Sequence, residues 1–170
     1  SLAEICEIAR EIKDLPDVGT GQARVALVFD YASCWAWVIQ PQGADFDMFR
    51  LAFETYGALR GAGLSVDIIG PDCADLSGYD LVFAPGLLTL SDPFQAALEA
   101  HKGLAVLGPR SNLKPAEMAT RVPLGPAVPG VDARSTSVER LPPGTGVDLA
   151  AGGPVLEWFE HMAGGAPVVE

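Results

Sequence analysis

The chain has 170 residues, of which 49% are hydrophobic and 19% charged, the profile of one globular domain with its own core. Its net charge of −11, from 22 acidic and 11 basic residues, argues against nucleic acid and anionic membranes as partners. No apolar run approaches the roughly 20 residues of a membrane-spanning helix, and no signal-like segment opens the chain at Ser1.

Residues 1–15 read as an amphipathic helix. Leu2, Ile5, Cys6, Ala9 and Ile12 recur at helical spacing, with Glu4, Glu7, Arg10 and Glu11 opposite. Ser1 can cap it, and Pro16 with Gly19-Thr20-Gly21 ends it. Such a helix docks on this domain or on a preceding one. Val25-Ala26-Leu27-Val28-Phe29 is apolar throughout, as a strand covered on both faces of a parallel sheet must be. Asp30 and Tyr31 follow at its C-terminal end, the edge that carries ligand sites in open α/β sheets.

Residues 32–45 read as a long loop holding Cys34, Trp35, Trp37 and Val38. In an extended segment the two tryptophans point the same way. They then either fold back on the sheet edge as core or meet another subunit or a carbohydrate, because Trp is enriched at binding hot spots. A helix is expected from about Phe46 to Arg60, with Met48, Leu51, Ala52, Thr55 and Leu59 on one stripe. Phe49, Phe53 and Tyr56 form a neighbouring stripe. That apolar arc is wider than one sheet face requires, so part of it should meet a second surface. Gly61 and Gly63 should supply the left-handed stop.

Val66–Ile69, Leu81–Ala84 and Leu104–Leu107 read as three further strands. Asp72 and Asp75, which flank Cys73, read as turn residues rather than metal ligands. Asp92-Pro93-Phe94-Gln95 is a helix start, with Asp92 as the cap and Gln95 closing a capping box. His101 and Lys102 suit the last turn of that helix, where the dipole favours cations, and Gly103 ends it. From Lys114 to Gly146 the chain is rich in Pro and Gly and reads as loops, with one strand near Thr136–Leu141. Val155–Met162 and Pro167–Val169, joined by Ala163-Gly164-Gly165, read as a closing β-hairpin, with Trp158 and Phe159 packed on the body. His161 beside Glu160 reads as a polar pair facing solvent.

Strands separated by a helical crossover imply parallel pairing. The expected fold is α/β: a three-layer, mostly parallel sheet with flanking helices plus a C-terminal β-hairpin, to which the resemblances below add a flavodoxin-like or class I glutamine amidotransferase-like order. The expected division is a linking helix in 1–22, the main domain in 23–146 and a β extension in 147–170. Cys6, Cys34 and Cys73 are odd in number and lack a CxxC pair, so free thiols in a reducing, cytoplasmic compartment are expected.

The order of strands and turns resembles the class I glutamine amidotransferase fold. There a Pro-Gly turn forms an oxyanion site, and the next strand runs into a G-x-C-x-G elbow whose thiolate needs a histidine base within reach. Pro85-Gly86 matches the first turn. Gly108-Pro109-Arg110-Ser111-Asn112 places Arg110 at the degenerate nucleophile position, and neither His101 nor His161 opens an H-x-E. Glycoside hydrolysis needs two carboxylates flanking the bond. The Asn-Glu pair of the barrel clan of glycosidases is absent, since the single asparagine, Asn112, precedes Leu113. An eightfold barrel needs about 250 residues. No phosphate loop follows the first strand, because Gly19-x-Gly21 comes before it. No catalytic residue, cofactor or metal is expected within the chain.

Phe29-Asp30-Tyr31, the Trp35 and Trp37 segment, Gly63–Ile69 and Asp75–Pro85 resemble the trimerisation domain of family 42 glycoside hydrolases, the β-galactosidases. Leu104–Arg110 and Ser137–Pro143 fit the same pattern, and the likeness spans about residues 20 to 143. The resemblance implies a noncatalytic domain that follows a catalytic barrel, adopts a flavodoxin-like fold and builds a homotrimer. It implies that the chain is a fragment of a larger hydrolase, with Glu4–Asp14 in the helix leaving the barrel. Trp35 and Trp37, with Phe49, Phe53 and Tyr56, become candidates for a subunit interface or for the mouth of a neighbour's sugar pocket, carried over by position. A β-galactoside would be met only through the parent's barrel. The alternative is a free-standing amidotransferase-like or flavodoxin-like enzyme or small-molecule binder.

Overall fold

A computed structural model of the chain describes residues 2–13, 15–16, 19, 21–41, 43, 45–115, 117, 119–142 and 158–164. Its spine is four parallel strands: β1 (Val25–Val28), β2 (Val66–Ile69), β3 (Leu81–Ala84) and β4 (Leu104–Leu107), in the order β2-β1-β3-β4. Val25 pairs with Val66 on one side and Leu81 on the other, and Leu81 pairs with Leu104. All four residues of β1 are buried, which explains their unbroken apolar run. Removing each Val or Leu side chain from water stabilises the fold by about 1.5–3 kcal/mol.

Residues 31–39 are the main departure from expectation. They form helix α2 (Tyr31–Ile39), not a loop. Asp30 caps it, accepting the N–H groups of Ala32 at 3.1 Å and Ser33 at 2.8 Å. Neither Gly nor Pro interrupts the helix, but it carries no charged residue either. It therefore lacks the amphipathic alternation by which a helix is recognised in sequence.

Helix α3 (Met48–Gly61) buries Met48, Ala52 and Leu59 as its spacing predicts, and Asp47 caps it by accepting the Arg50 N–H at 3.0 Å. Only Gly63 takes the left-handed conformation (φ 82°) at its end, whereas Gly61 still lies in the helix. Helix α4 (Asp92–Ala100) starts one residue earlier than expected. Its cap is Ser91, whose hydroxyl accepts the Phe94 N–H at 3.2 Å. His101 is the C-cap residue with extended backbone, outside the last turn.

One core layer gathers Ala26, Val28, Leu76, Tyr79, Val82, Ala84, Leu87, Leu90, Phe94 and Ala97. A smaller cluster of Ala36, Trp37, Met48, Leu88 and Leu113 joins α2 and α3 to the loops after β3 and β4. The N-terminal helix α1 (Leu2–Ile12) buries no residue, so it does not dock on the described body.

The antiparallel part is a two-stranded sheet of β5 (Arg134–Arg140) and β6 (Trp158–Ala163), running from Arg134 opposite Ala163 to Arg140 opposite Trp158. The partner of β6 is thus β5. The expected strand at 167–169, the cap Ser1 and the side chains of Trp158 and Phe159 lie outside the described residues.

Candidate interaction face and the sheet's C-terminal edge

The C-terminal ends of β1, β3 and β4 bring Asp30, Pro85-Gly86 and Gly108–Asn112 together, where an α/β fold usually keeps its ligand. Here hydrogen bonds within the chain engage these groups. The Ser33 hydroxyl donates to Asp30 at 2.7 Å and accepts the Leu88 N–H at 3.0 Å. The Trp37 indole N–H donates to the Gly86 carbonyl at 2.8 Å in a buried setting. The Pro85-Gly86 turn is thereby tied to the inner side of α2.

Two glycines allow the approach. A Cβ on Gly86 would lie 2.0 Å from the Met48 Sδ, and one on Gly108 would lie 1.9 Å from the Pro85 carbonyl oxygen. Asn112 sits in the left-handed region (φ 56°), a position short amide side chains tolerate. It accepts the Leu90 N–H at 3.2 Å and donates to the Ala127 carbonyl at 2.8 Å. Lys114 is buried, and its ammonium reaches Gln40 Oε1 at 2.8 Å and Thr120 Oγ1 at 3.0 Å. The sequence alone assigned no anchoring role to Ser33, Asn112 or Lys114. Their signal was weak, since each is a single polar residue inside a segment read as turn or loop.

Arg110, expected from the sequence at a degenerate elbow position, is a structural anchor. Its Nε donates to Glu160 Oε1 at 2.8 Å, and Ser135 Oγ donates to the same oxygen. The Glu160 side chain is only 6% exposed, so this pair clamps the β5–β6 sheet to the turn after β4. Arg140 makes a second, exposed tie to Asp45.

Cys73 donates to the Asp75 carbonyl at 3.3 Å, and Asp75 itself caps a turn through the Ser77 N–H at 2.8 Å. Cys6 is exposed on α1. Cys34 is half-buried, and burial pushes its thiol above the usual range, with Asp30 and Asp47 adding in the same direction. That keeps it protonated and weakly nucleophilic at neutral pH. His161 faces Glu139 at 3.1 Å on the surface of β6. Cys34 borders an open groove of about 360 Å³ together with Trp37, Val38, Asp45, Phe46, Asp47, Met48 and Phe49.

The helical geometry of α2 separates the two tryptophans that an extended loop would have aligned. Trp37 is 4% exposed and rests on Phe46, with ring centres 4.7 Å apart; Trp35 is 67% exposed. Tyr31, Trp35 and Val38 form the outward stripe of α2, and Ile39 is exposed beside them. Phe29 stacks edge-on against Tyr31 at 5.0 Å and against Phe49 at 5.9 Å, so the aromatic surface runs on to α3. Phe49 and Phe53 are exposed there, and Tyr56 is half-buried. Of the five candidate interface residues, Trp35, Phe49 and Phe53 face solvent, and Trp37 is turned inward as core.

The family described as the β-galactosidase trimerisation domain matches residues 23–162. A β-galactosidase BgaA from Thermus sp. is 36% identical over 143 residues, 83% of this chain and 22% of that protein. The β-galactosidase Bga of Halorubrum lacusprofundi is 37% identical over 141 residues, 81% of this chain and 20% of that protein. In structure, the chain superposes on the β-galactosidase of the psychrophilic Marinomonas ef1 with a TM-score of 0.75. Identity there is 28%, covering 95% of this chain and 26% of the other. The chain thus spans about a fifth of the length of these curated relatives. By sequence and by fold, it belongs to the β-galactosidase trimerisation domain family.

Proposed function

We propose that the chain is the noncatalytic assembly domain of a larger β-galactosidase, and that it joins copies of that enzyme through the outer face of α2 and α3. The observation that carries this is the composition of α2. A helix that is apolar all round belongs in an interior, yet the outward stripe of α2 is open to solvent in the single chain. A neighbouring copy supplies the missing cover, with Trp35, Phe49 and Phe53 in contact and Tyr56 at the margin. In the same reading, residues 1–22 link to the catalytic part, which covers the apolar stripe of α1. Residues 23–146 form the assembly domain, and 147–170 lead out of it. The β-galactoside is met by the catalytic part.

Sedimentation equilibrium tests the reading. The chain is expected to self-associate at tens of micromolar and to leave a nitrophenyl β-galactoside unhydrolysed. Trp35→Asp with Phe53→Asp should weaken association at least about tenfold, the loss of one hot-spot contact near 1.4 kcal/mol. A chain that stays monomeric, or that hydrolyses the galactoside unaided, refutes it.

A further inference from the structure

We propose that the groove between α2 and α3 is the socket for an arginine side chain carried by the part of the parent protein outside residues 1–170. This rests on the reading of the chain as one domain of a larger β-galactosidase, and it adds a contact by which that larger part docks.

The groove holds about 360 Å³. Trp37 and Met48 are buried and make its floor, while Phe46 is half-buried and Phe49 is exposed. Three aromatic rings thus line one small space, and a cation within about 6 Å of a ring face is attracted to it. Two exposed carboxylates, Asp45 and Asp47, stand at the mouth, and no Lys, Arg or His lines the groove among the described residues. Asp47 Oδ1 accepts the Arg50 N–H at 3.0 Å, and Oδ2 has no partner among the described residues. The field of the carboxylates reaches the groove wall: after burial, Asp30 and Asp47 are what push the Cys34 thiol above its usual range. Such a groove repels an anion, and a neutral group gains nothing from Asp47. A planar guanidinium matches both parts of the lining, because it stacks on aromatic faces and offers a fork of donors to a carboxylate. The chain shows this recognition once already at the same rim, where the Arg140 guanidinium sits on Asp45.

The source follows from what the chain itself lacks. It has 11 basic residues against 22 acidic ones. Arg24, Arg50, Arg60, Arg110 and Arg140 are engaged on Asp80, Glu54, the Leu64 carbonyl, Glu160 and Asp45. Arg10 shares α1 with Glu4, Glu7 and Glu11. A second copy of this domain is therefore a poor donor of cations. The chain spans about a fifth of the length of its curated relatives. The rest of such a parent is the larger reservoir of side chains, and covalent linkage holds it at high effective concentration.

Methyl-resolved NMR of the chain labelled at methionine tests the socket, with Met48 in the groove as the reporter and Met162 on β6 as the internal reference. The probe is N-acetyl-arginine methylamide. The citrulline analogue is its neutral isostere, and the lysine analogue supplies a point charge. The expected result is a saturable shift of Met48 alone, with a Kd on the order of millimolar for arginine, at least about threefold weaker binding for lysine and no saturation with citrulline. Asp47→Asn keeps a good helix cap while removing the charge, and should weaken arginine binding about fivefold. Phe49→Ala, at an exposed wall, should weaken it about threefold. In the full-length parent the socket is already filled, so the same probe should leave Met48 unmoved.

Citrulline that binds as well as arginine, or no saturable shift with about 50 mM arginine probe, overturns the socket. Equal affinity for the lysine probe overturns the choice of a guanidinium. A Met48 methyl that responds equally in the full-length parent overturns the source and assigns the groove to a free organic cation. Each of these failures leaves the assembly reading standing, since that is decided by sedimentation, and a monomeric chain there leaves the probe titration unchanged.

Discussion

Trp37→Ala and Trp35→Ala separate the two tryptophans most sharply. Trp37 is 4% exposed, packs against Phe46 and donates to the Gly86 carbonyl at 2.8 Å. Truncating it empties the cluster formed with Ala36, Met48, Leu88 and Leu113, at the ~3–5 kcal/mol typical of Trp→Ala in a core. The orphaned Gly86 carbonyl adds a desolvation cost of about 1–3 kcal/mol where water does not reach it. Against a total stability of about 5–15 kcal/mol, Trp37→Ala should leave the chain barely folded. For 170 residues, the packing loss alone lowers Tm by roughly 6–20 °C, at about 2–4 °C per kcal/mol. Trp35 is 67% exposed, so its removal should change the stability of the single chain by no more than about 0.5 kcal/mol. Urea melts at sub-micromolar protein isolate the monomer from any stabilisation by assembly. Equal losses for the two substitutions would refute the helical assignment of 31–39, since only an extended segment sets both side chains alike.

Gly108→Ala should be severely destabilising, because the added methyl meets the Pro85 carbonyl at 1.9 Å and backbone must move; a chemical melt within about 1 kcal/mol of the parent chain would contradict this. Arg110→Met should cost about 3–5 kcal/mol by leaving the buried Glu160 carboxylate without its guanidinium, whereas Arg110→Met with Glu160→Met should recover most of the loss, as a double-mutant cycle would show. At the other end of the sheet, the Arg24 guanidinium on Asp80 holds that carboxyl below its ordinary 3.8. A depressed folded value favours the folded state above the unfolded pKa and loses that contribution as pH falls through the folded one. Arg24→Gln should therefore raise the Asp80 titration midpoint towards 3.8 in a carboxyl-resolved NMR titration, and an unmoved midpoint would refute the pairing.

Strand β1 was legible because burial on both faces leaves an unbroken apolar run, and Val25–Val28 is such a run. Helix α3 was legible because one stripe of it is core and the spacing shows it. Helix α2 was not. Both of its faces are apolar, so the 3.6-residue period that marks a helix disappears. The anchoring role of Arg110 was invisible for another reason. It depends on Glu160, 50 positions away on a strand whose partner, β5, no local pattern specifies. The cap of α4 passed to Ser91 from Asp92 because the two neighbours are both good caps, and only backbone geometry selects between them.

In the assembly reading proposed above, the same few residues turn the C-terminal edge of the sheet into a support for helix α2. Asp30 sits at a strand end and spends its acceptors on Ala32, Ser33 and the Ser33 hydroxyl. The Gly86 carbonyl takes the Trp37 indole, and the Leu88 N–H goes to Ser33, so both sides of the turn after β3 hold α2 in place. Each of these bonds fixes the inner face of α2, and a helix fixed on its inner face presents its outer face rigidly. Rigidity matters at an interface, because side chains that are already ordered lose less entropy on binding. Loosening the inner face should therefore weaken association even where no contact residue is touched. Ser33→Ala, which removes the hydroxyl between Asp30 and Leu88, should reduce self-association while Trp35, Phe49 and Phe53 remain intact. If association were unchanged in a folded Ser33→Ala chain, the edge would be merely filled, and its link to the outer face would be lost.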